Sequence, residues 1–151
     1  MVDDKLMKTI KALQKKIDDD EEQTYSQVVI REYRNPTHFG VLEHADAVGI
    51  IKGPCGDTMK ITLKVKHGRI QDARFWTDGC GATLACGNML IKMMNGKTLH
   101  DANTITHTTL IDRLGGLPKE HSHCALLAVH TLRKTIEQYQ KKKRNAGENL
   151  A

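Results

Sequence analysis

Three cysteines stand in local settings suited to holding a metal rather than to packing. Cys55 lies in Gly53-Pro54-Cys55-Gly56-Asp57, Cys80 in Asp78-Gly79-Cys80-Gly81-Ala82, and Cys124 directly follows His123. Thiolates are soft ligands that select zinc and iron–sulfur centres. Glycines beside a cysteine let the backbone approach a bulky inorganic centre with no Cβ in the way. Asp57 adds a hard oxygen two residues after Cys55, and His123 adds an imidazole. A single buried cysteine is most often a small hydrophobe, and Asp57 alone would be a turn residue. Three cysteines in glycine-rich or helix-start positions make ligation the better reading.

Cys80 and Cys124 each open a helical pattern, where free amide groups and the helix dipole favour a thiolate. Cys124 also has an imidazole beside it, so the nucleophilic thiolate form is expected there. His123 can serve as ligand, as proton acceptor, or as both. His121, two residues earlier, could also reach in. His38, His44, His67, His100, His107 and His130 have no cysteine close in sequence and read as surface residues. Cys86 is different. It follows Cys80 by six residues, about 240° around a helix, and its neighbours Leu84, Ala85 and Met89 are apolar. It reads as a core residue, not a ligand.

The elements that must position these residues are legible in the hydrophobic period. Met59, Ile61, Leu63 and Val65 alternate with Lys60, Thr62, Lys64 and Lys66, which predicts a strand with one buried and one wet face. Ala47–Ile51 reads as the strand leading into the Cys55 loop. His67-Gly68 signals a turn, and Ile70–Thr77 returns as the hairpin partner, with a bulge where the Ile70-to-Ala73 spacing breaks alternation. Helices follow: Thr83 to Met94, a helical turn at Asp101 to Ile105, Thr108 to Leu114, and a long one from about Ser122 to Lys142. Upstream, Tyr25 to Arg34 reads as a short helix stopped by Asn35-Pro36. The implied fold is α+β, a small antiparallel sheet covered on one face by helices.

Residues 1–20 carry a separate narrow stripe, Leu6, Ile10, Leu13 and Ile17. Three readings of it stay open: docking on the body, self-association into a homodimer, or partial order. The expected division is a helical extension over 1–23, a domain over 24–142 and a flexible basic tail over 143–151.

At 151 residues the chain is one domain by length, and aromatics at 4% make its core mostly aliphatic. No apolar run spans a bilayer, and the start lacks a signal-peptide pattern, so the cytoplasm is the expected location. In that setting four cysteines argue for ligands or reactive thiols, not disulfides. The net charge of +5 is modest and scattered, with no aromatic-plus-basic reader motif, so neither nucleic acid nor membrane is an expected partner.

The combination Pro54-Cys55-Gly56-Asp57, Gly79-Cys80-Gly81-Ala82 and His123-Cys124-Ala125-Leu126-Leu127-Ala128 closely resembles the IscU-type iron–sulfur cluster assembly scaffold, also found as the amino-terminal domain of NifU. Tyr25-Ser26 and Tyr33-Arg34-Asn35-Pro36 match that family's start, and the cysteine separations of 25 and 44 residues suit it. The resemblance covers roughly residues 24–142. It implies that the three cysteines gather at one exposed end and assemble a transient [2Fe–2S] cluster. Sulfur would arrive as persulfide from a pyridoxal-phosphate cysteine desulfurase, and the cluster would pass to apo iron–sulfur client proteins. Carried over, Cys55, Cys80 and Cys124 are cluster ligands, Asp57 and His123 additional or alternating ligands, and Cys124 the persulfide acceptor.

One stretch departs from the family. Leu117-Pro118-Lys119-Glu120-His121-Ser122 keeps only the first two residues of the Leu-Pro-Pro-Val-Lys pattern that a dedicated Hsp70-type chaperone reads, and His121 stands where the family has lysine. Two other functions compete with the scaffold. A zinc-dependent SufU-type sulfur acceptor would take persulfide without building clusters, but such chains usually carry an insertion between the second and third cysteines and lack this histidine. A structural zinc domain would suit three cysteines plus His or Asp, but this much aliphatic pattern should fold without metal. Zinc can still occupy the same site in purified protein.

Overall fold

The computed structural model describes residues 3–147; the ends of the expected extension and tail lie outside them. Helix α1, Asp4–Thr24, starts at Asp3, whose carboxylate accepts from the Lys5 amide. It buries no residue, and Leu6, Ile10, Leu13 and Ile17 are all about half exposed. Among the described residues, its ion pairs to the body lie at its far end. Arg34 of α2 (Gln27–Arg34) pairs with Asp18 and Glu21, and the Tyr33 phenol bonds Glu21. That phenol and then the guanidinium hold the Glu21 carboxyl below its usual range.

Ser26 caps α2 by accepting from the Val29 amide, and its hydroxyl donates to the Leu114 carbonyl. Asn35 closes the helix, as Asn35-Pro36 predicts. Helix α2 lays Val29 and Ile30 on the core. Glu32, also buried, is neutralised by Lys92 at 2.7 Å and receives a bond from Asn88. A buried carboxylate without such partners would cost several kcal/mol, of the order of 3–5.

The sheet contains β1 (Ala47–Lys52), β2 (Thr58–Lys66) and β3 (Arg69–Thr77), antiparallel and in that order. His67 and Gly68 both take positive φ, 54° and 73°, which the tight β2–β3 turn requires. Lys64 pairs with Asp72 but Val65 pairs with Ile70, so Gln71 is the bulged residue and the predicted break in alternation is real. Met59, Ile61, Leu63, Ala73 and Phe75 point into the core. Val48, Ile50 and Trp76 face outward.

Helices α3 (Gly81–Met94) and α6 (Ser122–Asn145) cover the inner face, with α4 (Leu99–Asn103) and α5 (His107–Arg113) beside them. Helix α6 runs three residues into the stretch expected as tail. It also seals the free edge of β1. Gln138 accepts from the Val48 amide, and Lys134 donates to the Ile50 carbonyl. The two backbones touch where Gly49 meets Thr135; a Cβ on Gly49 would lie 2.2 Å from Thr135 Oγ1. No helix among the described residues is long and apolar enough to cross a membrane.

Candidate functional site

Three chain segments converge at one end of the domain. The β1–β2 loop carries Cys55 and Asp57. It is closed by the Gly53 amide bonding the Asp57 carbonyl at 2.7 Å and turned by Gly56 at φ 91°. Cys80 is the N-cap of α3, with extended backbone and no side-chain cap bond, so its sulfur is not spent on the helix terminus. Cys124 sits in the first turn of α6, preceded by a 3-10 turn at Lys119–His121.

Cys55 and Cys80 are exposed; Cys124 is 1% exposed. The sulfurs of Cys80 and Cys124 and a ring nitrogen of His121 lie within 4.8 Å of one another. His123 Nε2 lies 3.6 Å from Cys124 Sγ, outside that compact set. Asp57 enters through a hydroxyl: Thr83 Oγ1 donates to Asp57 Oδ2 at 3.2 Å and lies 3.4 Å from Cys124 Sγ and 3.7 Å from Cys80 Sγ. Gly79 makes room for this meeting, because a Cβ there would lie 2.7 Å from Thr83 Oγ1 and 2.8 Å from Asp57 Oδ2. Cys55 is outside the compact set, although its charge is felt at Cys124.

The thiolate expected at Cys124 needs correction. Burial pushes this thiol up to about 11; the Thr83 hydroxyl pulls the other way, and charges on Cys80, Asp57 and Cys55 add to the rise. Desolvation of the anion outweighs whatever the α6 N-terminus supplies. Cys86 is fully buried among core residues, with its thiol pushed well up by burial, as its apolar neighbours predict.

Two groups around the site escaped the sequence reading. Thr83 is one; its position three residues after Cys80 puts it on the same helical face, a signal available in the sequence. Tyr25 is the other. Its hydroxyl lies 3.2 Å from His121 Nε2, and the two rings are 5.7 Å apart. Its own proton is held more tightly than usual, by burial first and then by the Cys80 and Cys124 charges. Of the histidines read as surface residues, His38 is half-buried, with its amide bonded to Asn88. None of the six joins the Cys80–His121–Cys124 set among the described residues.

Thiols and imidazole at this spacing, with a carboxylate one hydroxyl away, can hold a soft or borderline divalent ion or a small iron–sulfur unit. Comparison with known proteins points the same way. The model of the NifU-like N terminal domain matches residues 24–146. An iron–sulfur cluster assembly scaffold protein IscU of Archaeoglobus fulgidus is 44% identical over 119 residues, which is 78% of each chain. The protein of that name from Escherichia coli is 36% identical over 124 residues, 79% of this chain and 96% of its own. Among solved structures, the N-terminal part of a nitrogen-fixing NifU-like protein from Brucella abortus superposes with a TM-score of 0.62 at 20% identity. It covers 78% of this chain and 94% of its own. A protein assigned to the SUF system as a cluster assembly scaffold, from Fervidobacterium islandicum, gives 0.62 at 21% identity, covering 74% and 96%. At that identity the two structures speak for the fold alone.

Proposed function

From the chain's membership of the NifU-like N-terminal domain family, we propose that it is a scaffold on which a [2Fe–2S] cluster is assembled and then released to apo-proteins. The observation that carries the reading is the convergence of Cys80, Cys124 and an imidazole within 4.8 Å, with Asp57 linked to both sulfurs through Thr83. The cluster is cargo. Cys55, Cys80 and Cys124 are its thiolate ligands, and Asp57 is a harder, more exchangeable oxygen ligand that favours release. Cys55, on an exposed loop, closes onto the others when cargo is present.

Sulfur is delivered by a cysteine desulfurase as a persulfide. Cys124 is the acceptor, and His123 Nε2, at 3.6 Å, is placed to take its proton. The Cys124 thiolate attacks the outer sulfur of the desulfurase persulfide. A new S–S bond forms on Cys124, the donor's S–S bond breaks, and the desulfurase cysteine leaves as thiolate. The protein is a carrier and not a turnover enzyme.

Anaerobic reconstitution with ferrous iron, desulfurase and cysteine tests this, read by absorption and Mössbauer spectra. The scaffold reading expects a [2Fe–2S] spectrum that is lost in Cys80→Ser and retained in Cys86→Ala. Persulfide that accumulates on the protein while no iron spectrum develops would overturn it in favour of a zinc-dependent sulfur acceptor.

A further inference from the structure

His121 occupies a place that neither family pattern nor adjacency to a cysteine assigns to a ligand. It ends the 3-10 turn and serves as N-cap of α6, with φ −110° and ψ 4°, and has no cap bond from its side chain. The ring is therefore not spent on the helix terminus. One of its nitrogens reaches both Cys80 and Cys124, two sulfurs on different helices, within 4.8 Å. Ligands of one tetrahedral ion lie roughly 3.5–3.8 Å apart, given bonds of about 2.0–2.3 Å. With every pair within 4.8 Å, none exceeds the spacing of a filled site by more than roughly 1.0–1.3 Å, an adjustment that side-chain torsions can supply. His123 Nε2 lies 3.6 Å from Cys124 Sγ, and its ring is tilted against that of His121 at 6.4 Å.

The surroundings of His121 are those of an oriented ligand. The Tyr25 hydroxyl bonds His121 Nε2 at 3.2 Å. Tyr25 is itself fixed: it is the C-cap of α1, and its ring stacks edge-on against Tyr33 at 6.0 Å. Tyr33 in turn bonds Glu21 and packs against Gly81, where a Cβ would lie 3.3 Å from its ring. Metal-bound imidazoles commonly have their second nitrogen held by such a partner, which fixes tautomer and ring orientation. Tyr25 and a cation can each take one nitrogen of the ring.

We propose that His121, oriented by Tyr25, is the nitrogen ligand of the first divalent transition-metal ion that this chain binds, together with Cys80 and Cys124, while His123 stays outside the first coordination sphere. This rests on the scaffold reading only in calling that ion the first iron of a cluster. The residue that replaces the family's lysine thereby gives this chain a mononuclear site of its own.

The test is an anaerobic Co²⁺ titration of the full chain stripped of metal. It follows the thiolate-to-cobalt charge-transfer band and the tetrahedral d–d bands, with pulsed EPR for nitrogen coupling. His121→Ala lowers Co²⁺ affinity by roughly 100-fold and abolishes the nitrogen coupling, and Tyr25→Phe lowers affinity by about 10-fold. His123→Ala retains the nitrogen coupling, because that ring has no bond to the metal. His121→Cys restores tight binding with a stronger charge-transfer band and no nitrogen coupling. It also serves as the folded control if His121→Ala is unstable. Retained coupling in His121→Ala, or loss of coupling in His123→Ala, overturns the proposal. The two readings fail separately: a wild-type chain that builds a cluster but binds Co²⁺ independently of His121 refutes this inference alone. A His121-dependent Co²⁺ site in a chain that never builds a cluster refutes the scaffold reading alone.

Discussion

Gly79→Ala probes the link between Asp57 and Thr83 without removing any candidate ligand. The added Cβ would sit 2.7 Å from Thr83 Oγ1, 2.8 Å from Asp57 Oδ2 and 2.8 Å from Thr83 Cβ. The carboxylate can swing aside. Thr83 cannot, because its Cβ is fixed to α3 and the residue is fully buried. Overpacking of this kind costs about 1–3 kcal/mol, and loss of the Thr83–Asp57 hydrogen bond adds about 0.5–1.5 kcal/mol. At about 3 °C per kcal/mol for a domain of this size, the melting temperature should fall by roughly 4–14 °C. Calorimetry on Gly79→Ala, Thr83→Ala and the double variant gives the coupling between the two positions. Thr83→Ala removes Oγ1, the nearest clashing atom, but keeps the Cβ at 2.8 Å, so the double variant should recover only part of the packing cost, with a coupling of about 0.5–3 kcal/mol. Strict additivity, or a Gly79→Ala variant within about 0.5 kcal/mol of wild type, would refute the account of Thr83 as a packed bridge.

Three further outcomes follow from the same coordinates. Gly49→Ala forces a Cβ to within 2.2 Å of Thr135 Oγ1 and 2.8 Å of its amide nitrogen. It should therefore cost at least as much as Gly79→Ala, about 3 kcal/mol or more, in a denaturant melt. Cys86→Ser buries a hydroxyl in the core and should cost about 1–3 kcal/mol, whereas Cys86→Ala keeps the metal site and most of the stability; equal melting temperatures for the two would contradict the apolar setting. Iodoacetamide mapped by mass spectrometry at neutral pH should label Cys55 and Cys80 first, Cys124 slowly and Cys86 last in the metal-free protein. Burial disfavours the Cys124 anion, so its labelling rate should climb as pH rises toward its raised value of about 11; a rate that levels off below pH 8 would contradict that burial.

The hairpin, its bulge at Gln71 and the turn at His67-Gly68 were legible because strand period and turn chemistry are local signals. The α3 and α6 spans were legible for the same reason, to within a few residues at their ends. The site was legible as a list of residue types, since cysteine in glycine-rich loops has few other uses. Its internal arrangement was not. The Tyr25–His121 contact joins residues 96 apart, and no local pattern predicts which of two histidines in one short segment turns toward Cys80. The protonated state of Cys124 depends on side chains from several elements that together exclude water, while the helix-start argument counts only its own turn. Thr83 was passed over because threonine in a helix is unremarkable until its neighbours are known. For α1, the stripe is plain in the sequence, but its exposure depends on how few groups at its far end reach the body.

The Gly49–Thr135 touch also acts as a fulcrum. Eleven residues separate Thr135 from Cys124 along α6, a lever arm of about 16 Å. On either side of the fulcrum, Lys134 and Gln138 clamp the helix to the rim of β1. A tilt of only about 3–4° about that point displaces the Cys124 end by about 1 Å over such an arm. A displacement of that size shifts Cys124 relative to Cys80 and His121, whose donor atoms lie within 4.8 Å of its sulfur. The bore of the site is thus gauged at a glycine remote from every ligand, and a change in the size of residue 49 would retune sulfur-to-sulfur separation with the ligand set intact.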